Sequence, residues 1–364
     1  MVFDYFGRCR RLRSAFAGSS LDSLLISKKE NIYYLSGFTG DDSLLLITGD
    51  QSFLITDFRY REQAEKELFP GCELRLRSSS PLATAAADLI LEERLQRVGF
   101  EAEHLSWAAH RRLEERFSGG RLLPAGQLVG DLRVIKEPGE IARLRESCAR
   151  TVRVFNRFRD SLVPGRTESF LAGVLSAAFY QAGGEPAFDP ITAVGENSSQ
   201  PHAAASDRRF QRGEIFLVDL GGRWSFYNSD LTRTLVGGTF PRRFKTVYRA
   251  VLSAQKQAIR SIRPGVSAAE VDRVARGSLE GKGWGEYFGH SLGHGVGLEV
   301  HERPALSPVS REVLKEGMVL TVEPGVYLPG WGGIRIEDTV LVTADGCEIL
   351  TATPKTLESC LLKW

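Results

Sequence analysis

Apolar positions follow two patterns along the chain. Before about residue 130, short apolar runs alternate with charged stretches of helical period. Leu24-Leu25-Ile26 is one such run, followed by the turn-prone Ser27–Asn31. Ser43–Thr48 and Ser52–Thr56 flank Gly49-Asp50-Gln51 and predict a β-hairpin. Phe58–Leu68 is charged and helix-like, and Pro81–Arg97 carries Leu82, Ala86, Leu89 and Ile90 at helical spacing. Ser118–Gly130 holds Gly119, Gly120, Pro124, Gly126 and Gly130 and reads as a linker.

Beyond it, Ile141, Leu144, Cys148, Val152 and Phe155 recur at helical spacing. Pro138 falls in the first turn of that helix, where its missing N–H costs nothing. Pro164-Gly165 ends the helix, and Glu168–Gln181 predicts another. From Asp189 onward strands and glycines dominate, interrupted by helices over Arg242–Ser261 and Ser267–Gly281. The expectation is an α/β domain over residues 1–130 and a larger α+β domain over 131–364 that carries the chemistry. A chain of 364 residues fits two domains.

Composition mainly excludes. Hydrophobic residues at 42% and charged residues at 25% describe an ordinary globular chain. Lys plus Arg number 47 against 45 Asp plus Glu, so a net charge of +2 offers no field for nucleic acid or an anionic membrane. The longest apolar runs, such as Leu44–Ile47 and Ile215–Val218, are too short to span a bilayer. The opening Met-Val-Phe-Asp-Tyr-Phe-Gly-Arg lacks a basic segment before an apolar one, so no secretory signal is expected. Cys9, Cys72, Cys148, Cys347 and Cys360 are scattered and form no CxxC pair. Reduced thiols in the cytoplasm are the expectation.

One internal similarity draws attention to carboxylates. Gly213-Glu-Ile-Phe-Leu-Val-Asp219-Leu-Gly221 lays over Gly317-Met-Val-Leu-Thr-Val-Glu323-Pro-Gly325, and a second carboxylate follows each, Asp230 and Glu337. Two related half-sites would converge four carboxylates on one spot. Chance is the competing explanation, since glycine-flanked strands are common. Taken singly, Asp219 and Asp230 fit turn residues, and Asp230 could pair with Arg233. The alternation Ile334/Ile336 against Arg335/Glu337 puts the two charges on one strand face, which is commonly a solvated one. Glu323 is less ordinary, because glutamate at the end of an apolar run is seldom buried without a partner.

The histidines sharpen this. Of six, His202, His290, His294 and His301 fall near these segments, while His104 and His110 lie in a polar stretch and read as surface residues. His290 and His294 have the spacing of a helical metal pair, but Gly289, Gly293, Gly295 and Gly297 argue for strand or turn. No GxGxxG opens an amphipathic helix there, so a phosphate loop is poorly supported. Four carboxylates with a histidine favour Mn2+, Co2+ or Zn2+ over copper or iron–sulfur. Bridging carboxylates would hold two ions about 3.5–4 Å apart, as in dinuclear hydrolases that activate water at neutral pH.

The motifs Pro201-His202-Ala203, Val218-Asp219-Leu220-Gly221, Ser229-Asp230-Leu231-Thr232-Arg233-Thr234, Gly293-His294-Gly295-Val296-Gly297-Leu298, Val300-His301-Glu302, Thr321-Val322-Glu323-Pro324-Gly325 and Arg335-Ile336-Glu337-Asp338 resemble the Xaa-Pro aminopeptidase and prolidase family, the pita-bread metallopeptidases. Asn31–Gly40 and Thr56–Tyr60 resemble the creatinase-type N-terminal domain that precedes the catalytic domain there. The resemblance covers nearly the whole chain and implies an α+β fold with a pseudo-symmetric catalytic domain. It implies Asp219, Asp230, His294, Glu323 and Glu337 as ligands of two divalent ions, Mn2+ first, with Asp230 and Glu337 bridging. It implies that Glu323 also shuttles a proton, that His202, His290 and His301 meet the substrate, and that Arg335 pairs with a bridging-site carboxylate. Where the family has Gly-Tyr shortly before the second aspartate, this chain has Phe226-Tyr227.

The activity so implied is aminopeptidase P, cleavage of the amino-terminal Xaa-Pro bond of a peptide, with Xaa-Pro dipeptidase (prolidase) as the alternative. A broader aminopeptidase and a creatine-type amidinohydrolase fit less well, the latter lacking the ligands present here. A catalytically silent pita-bread binding protein and a metal-free structural protein are readings from other classes. The resemblance also implies a homodimer.

Overall fold

The computed structural model describes residues 3–19 and 21–363, and the chain divides into two compact units, Met1–Arg133 and Val134–Trp364. The first runs α1 (Tyr5–Ala17), β1 (Ser23–Ile26), α2 (Lys29–Ser36), β2 (Leu44–Thr48), β3 (Ser52–Thr56) and α3 (Arg61–Glu67). It continues with β4 (Glu73–Leu76), α4 (Leu82–Glu92), β5 (Arg97–Phe100), α5 (Trp107–Arg116), β6 (Arg121–Pro124) and α6 (Leu128–Arg133). Among the described residues these strands form one mixed sheet in the order β4-β3-β2-β1-β5-β6. The expected hairpin is β2–β3, antiparallel, with Leu44 opposite Ile55. Leu25, Leu46, Phe53 and Ile55 pack with Ala86, Ile90 and Leu113 of α4 and α5.

The segment read as a linker is not one. Arg121–Pro124 adds the edge strand β6, parallel to β5, and Leu128–Arg133 is helical. The glycines and Pro124 punctuate short elements there rather than an unstructured connection, and Pro124 sits at an edge, where its lacking N–H breaks no ladder. His110 is also less exposed than a surface residue, stacked on Trp107 with its ring 4.8 Å from Phe100.

The second unit opens with α7 (Pro138–Ser161), where the Glu140 carboxylate accepts the Glu137 N–H in a capping turn. Then follow α8 (Glu168–Gln181), β7 (Glu185–Pro186), β8 (Ile191–Val194), β9 (Ile215–Leu220), β10 (Gly222–Trp224), β11 (Tyr227–Asn228) and β12 (Leu231–Gly237). The later part runs α9 (Phe244–Ser261), α10 (Ala268–Glu280), β13 (Gly293–Gly295), β14 (Glu302–Leu306), β15 (Val319–Val322), β16 (Gly325–Leu328), β17 (Gly332–Arg335), β18 (Asp338–Val342), β19 (Cys347–Ile349) and β20 (Leu361–Leu362). The principal sheets are β20-β12-β9-β8 and β14-β13-β15-β18-β19.

The two parts of this unit repeat. In each, a helix ends in Pro-Gly with the glycine at φ 88°, Gly165 and Gly265. A hydroxyl then caps the next helix, Thr167 accepting from the Phe170 N–H and Ser267 from the Glu270 N–H, each at 3.1 Å. Thr167 bridges Arg209 and Ser267 bridges Val313. Left-handed glycines then launch the carboxylate strands, Gly213 at φ 79° before β9 and Gly317 at φ 85° before β15. The similarity between the two carboxylate strands is therefore structural rather than fortuitous. Phe216, Leu220, Leu320 and Val340 pack with Phe179, Tyr248, Val251 and Ala275 in one core.

Arg335 and Glu337 do not share one strand. β17 ends at Arg335 and β18 begins at Asp338, and both side chains are buried rather than solvated. In the turn between β10 and β11, Ser225 and Phe226 take φ 50° and 71°, so Phe226 adopts a backbone that glycine adopts freely.

Candidate metal centre

The repeat brings four carboxylates together at corresponding places. Asp219 lies at the inner end of β9 and Glu323 directly follows β15, while Asp230 and Glu337 directly precede β12 and β18. Antiparallel pairing sets Asp219 opposite Thr232 and Val322 opposite Asp338. The halves hold each other. Thr232 Oγ1 donates to Glu337 Oε2 at 2.6 Å, and Thr339 Oγ1 donates to the Asp230 carbonyl at 2.8 Å. Each threonine stands two residues beyond one carboxylate and ties down the residue bearing the other.

His294 reaches the cluster from the middle of β13, as strand rather than helix. A Cβ on Gly293 would lie 2.1 Å from the Thr321 carbonyl oxygen, and one on Gly295 2.2 Å from that of Arg303. Only glycine allows the neighbouring backbones this close. His294 Nε2 is 3.3 Å from Glu323 Oε1 and 3.6 Å from Asp230 Oδ2, and its Nδ1 is 3.1 Å from the Gly295 carbonyl. A proton on Nδ1 bonded to that carbonyl leaves the Nε2 lone pair for the cluster.

Burial raises the pKa of Asp219, partly opposed by Arg335. Asp230 rises well above the usual carboxylate range through burial and then the Asp219 charge. Glu337 rises likewise through burial and the charges of Asp230, Glu323 and Asp219. Burial pushes Glu323 up too, but the hydrogen bond and charge of His294 outweigh it and bring the group to about 2. Burial works against the His294 imidazolium, yet Glu323 and Asp230 lift it to about 9. Without a cation this cluster is an ion pair beside crowded carboxyls.

The donor set fits divalent cations. Asp219 Oδ1, Asp230 Oδ1 and Glu337 Oε1 are buried without a hydrogen-bond partner. Such orphaned acceptors need an explanation, and a bound cation supplies one. Asp230, His294 and Glu337 each offer a ligand atom within 4.8 Å of the others. Carboxylate oxygens with one imidazole suit Mn2+, Co2+ or Zn2+.

His202, His290 and His301, with Arg335, line the same cavity of about 500 Å³ as the five candidate ligands. His301 lies with its ring 4.2 Å from that of His294. Burial lowers the pKa of His290. Burial and the His294 charge lower that of His301. Arg335 differs from expectation. Its Nη2 pairs at 2.6 Å with Asp219 rather than with Asp230 or Glu337, while its Nε donates to Thr232 Oγ1 at 3.1 Å.

Arg335 also exposes a residue that the motifs did not reveal. Tyr327 Oη accepts from Arg335 Nη1 at 2.8 Å and lies 3.0 Å from His290 Nε2. The available signal was weak: a tyrosine in an apolar strand just past Glu323, whose buried hydroxyl needs a partner. Thr232 and Thr321 stand within the motifs and Thr339 just outside them, and as ordinary strand residues none of the three is marked by the sequence as a tether.

Residues 142–344 match Metallopeptidase family M24, and residues 8–135 match the Creatinase/Prolidase N-terminal domain. A Pyrococcus horikoshii protein named Xaa-Pro dipeptidase is 37% identical over 342 residues, 93% of this chain and 95% of its own. The structure of an Xaa-Pro dipeptidase from Bacillus anthracis superposes with a TM-score of 0.95 at 36% identity, covering 99% of this chain and 100% of that one. An X-Pro aminopeptidase from Thermotoga maritima gives a TM-score of 0.87 at 35% identity, covering 94% and 99%.

Proposed function

Because this chain belongs to Metallopeptidase family M24 and carries a Creatinase/Prolidase N-terminal domain, we propose that it hydrolyses Xaa-Pro dipeptides. It is a metallopeptidase, and motifs alone do not separate dipeptidase from aminopeptidase P. The dipeptidase reading is supported by relatives of that name at 36–37% identity across nearly the full chain. Aminopeptidase P stays as the second reading, favoured by the Thermotoga structure. The observation that carries metal-dependent hydrolysis is the set of three buried carboxylate oxygens without partners beside His294.

In this reading Asp219, Asp230, His294, Glu323 and Glu337 hold two divalent ions, Mn2+ first and Co2+ or Zn2+ as alternatives. The ions would supply electrophilic activation of water and of the scissile carbonyl at neutral pH. Glu323 accepts the proton of the attacking water and returns it to the departing prolyl nitrogen. Its pKa of about 2 reflects the His294 charge, which disappears when His294 serves as a neutral ligand. His301 donates to the carbonyl oxygen as it gains charge, and His290 and His202 contact the substrate from the same cavity. Tyr327 orients His290, and Arg335 holds Asp219. Phe188, Ile191 and Val300 give the cavity an apolar wall suited to a pyrrolidine ring.

The test is hydrolysis of Ala-Pro and Ala-Pro-Ala by metal-stripped protein with and without Mn2+. Metal-dependent cleavage of the dipeptide alone is expected. Cleavage of the tripeptide moves the assignment to aminopeptidase P, and cleavage of neither removes the substrate class. A cytoplasmic setting is supported by five unpaired cysteines. Among the described residues no helix is long and apolar enough to cross a membrane. A homodimer is part of the proposal, and a monomeric mass in light scattering would exclude it.

A further inference from the structure

His290 stands in the segment between α10 and β13. Gly289 precedes it, and a Cβ there would meet nothing within 4 Å. The backbone around His290 is gripped from outside the loop.

Helix α10 provides that grip. Asp272 and Arg276, one turn apart, form a two-point ion pair with Nε–Oδ2 and Nη2–Oδ1 each at 2.9 Å. The pair does not spend all its hydrogen bonds on itself. Arg276 Nη1 donates to the Phe288 carbonyl at 2.9 Å, and Nη2 donates to the His290 carbonyl at 3.0 Å. Asp272 Oδ1 accepts the Leu292 N–H at 3.1 Å. The carbonyls on both sides of the Gly289 peptide and the N–H beyond Ser291 are thus fixed by two side chains. The guanidinium also lies 4.4 Å from the centroid of the Phe288 ring, which meets the His290 ring edge-on at 5.0 Å. The Leu292 carbonyl in turn accepts the Glu323 N–H at 2.8 Å. The Asp272 side chain is 1% exposed and that of Arg276 is 22% exposed.

We propose that Asp272 and Arg276 are positioning residues for the reaction, fixing the backbone of Phe288–Leu292 so that the His290 ring keeps its place in the lining of the substrate cavity. This rests on the reading in which His290 contacts substrate. Neither residue touches the cavity. A helix-stabilising ion pair would need only the Asp272–Arg276 contact, whereas three of the bonds go to the loop.

The experiment is a double-mutant cycle on Ala-Pro hydrolysis with Arg276→Lys and His290→Ala, with metal content measured in each protein. Lysine keeps the charge but cannot span the carboxylate and two carbonyls together. Arg276→Lys alone is expected to lower kcat about 10- to 100-fold with metal content and KM near wild type. In the His290→Ala background the same change is expected to cost under about twofold. Equal losses in both backgrounds would overturn the clamp and leave the reading of His290 intact. If His290→Ala itself costs nothing, that reading and the clamp both fall.

A readout independent of turnover is the imidazole spectrum of protein labelled with 15N-histidine. Arg276→Lys is expected to double or broaden the His290 signals while those of His202, His294 and His301 hold. Unchanged His290 signals would overturn the proposal. Asp272→Asn, which keeps the acceptor oxygen for Leu292, serves both measurements if Arg276→Lys does not fold.

Discussion

Glu323→Gln is expected to lower kcat on Ala-Pro by about two to four orders of magnitude, the usual worth of a positioned proton carrier. Glutamine keeps the shape of the side chain and one oxygen for a cation, so at matched metal content the loss reports proton transfer. Thr321 Oγ1, 3.1 Å from Glu323 Oε1, can hold the amide oxygen as it holds the carboxylate. The measurement is kcat together with metal content. Stoichiometric metal with kcat within about tenfold of wild type would remove Glu323 from the proton path.

The second large effect is on stability and concerns the cation itself. Asp219, Asp230 and Glu337 have folded-state pKa values above their ordinary ones. Their contribution to stability is therefore fully present below the unfolded pKa near ~4 and is lost as pH rises through the raised folded values. At neutral pH the metal-stripped protein carries that cost. Glu323, with a lowered pKa, acts with the other sign, and its partner His294, with a raised one, acts with the same sign as those carboxyls. The ion pair between them fails as pH falls through about 2, where Glu323 protonates, and as pH rises through about 9, where His294 loses its proton.

Mn2+ at about a hundred times its dissociation constant should add about 2.7 kcal/mol to the metal-stripped protein. That corresponds to a rise of about 5–10 °C in Tm for a domain of this size. Asp230→Asn should abolish this shift, yet leave the metal-free protein at pH 7 no less stable than metal-free wild type, since a buried carboxyl whose ionised form is disfavoured is gone. Apparent affinity should climb with pH and level off above about 9, because binding displaces the proton on His294. A thermal-shift series over Mn2+ concentration and pH checks all three. A shift that persists in Asp230→Asn would move the cation elsewhere.

Much of the site was legible because its constraints are local. A glycine with positive φ, an apolar run and a carboxylate recur as Gly213–Asp219 and Gly317–Glu323, and that spacing is visible without coordinates. The glycines flanking His294 correctly denied it a helix. What failed was whatever needed a partner distant in sequence. Ser118–Gly130 looked like a linker because an edge strand of four residues, Arg121–Pro124, has too short a pattern to register. Arg335 was matched to the wrong carboxylate because its reach to Asp219 crosses from β17 to β9. Tyr327 and Arg276 carry no motif at all, and their roles are visible only through distances.

The sequence by itself determined the longer elements and the ligand chemistry. Helical period, caps and turn residues act over a few positions, and a carboxylate or imidazole carries its donor atoms wherever it is placed. The tertiary structure decided which of these groups converge, which carboxylate oxygens are left without hydrogen-bond partners, and which strand threonines and which helix residues hold the loops in register. Those outcomes depend on pairings between segments about a hundred residues apart, such as Thr232 with Glu337. They also depend on burial, which sets the pKa of a carboxyl group only after its neighbours have excluded water.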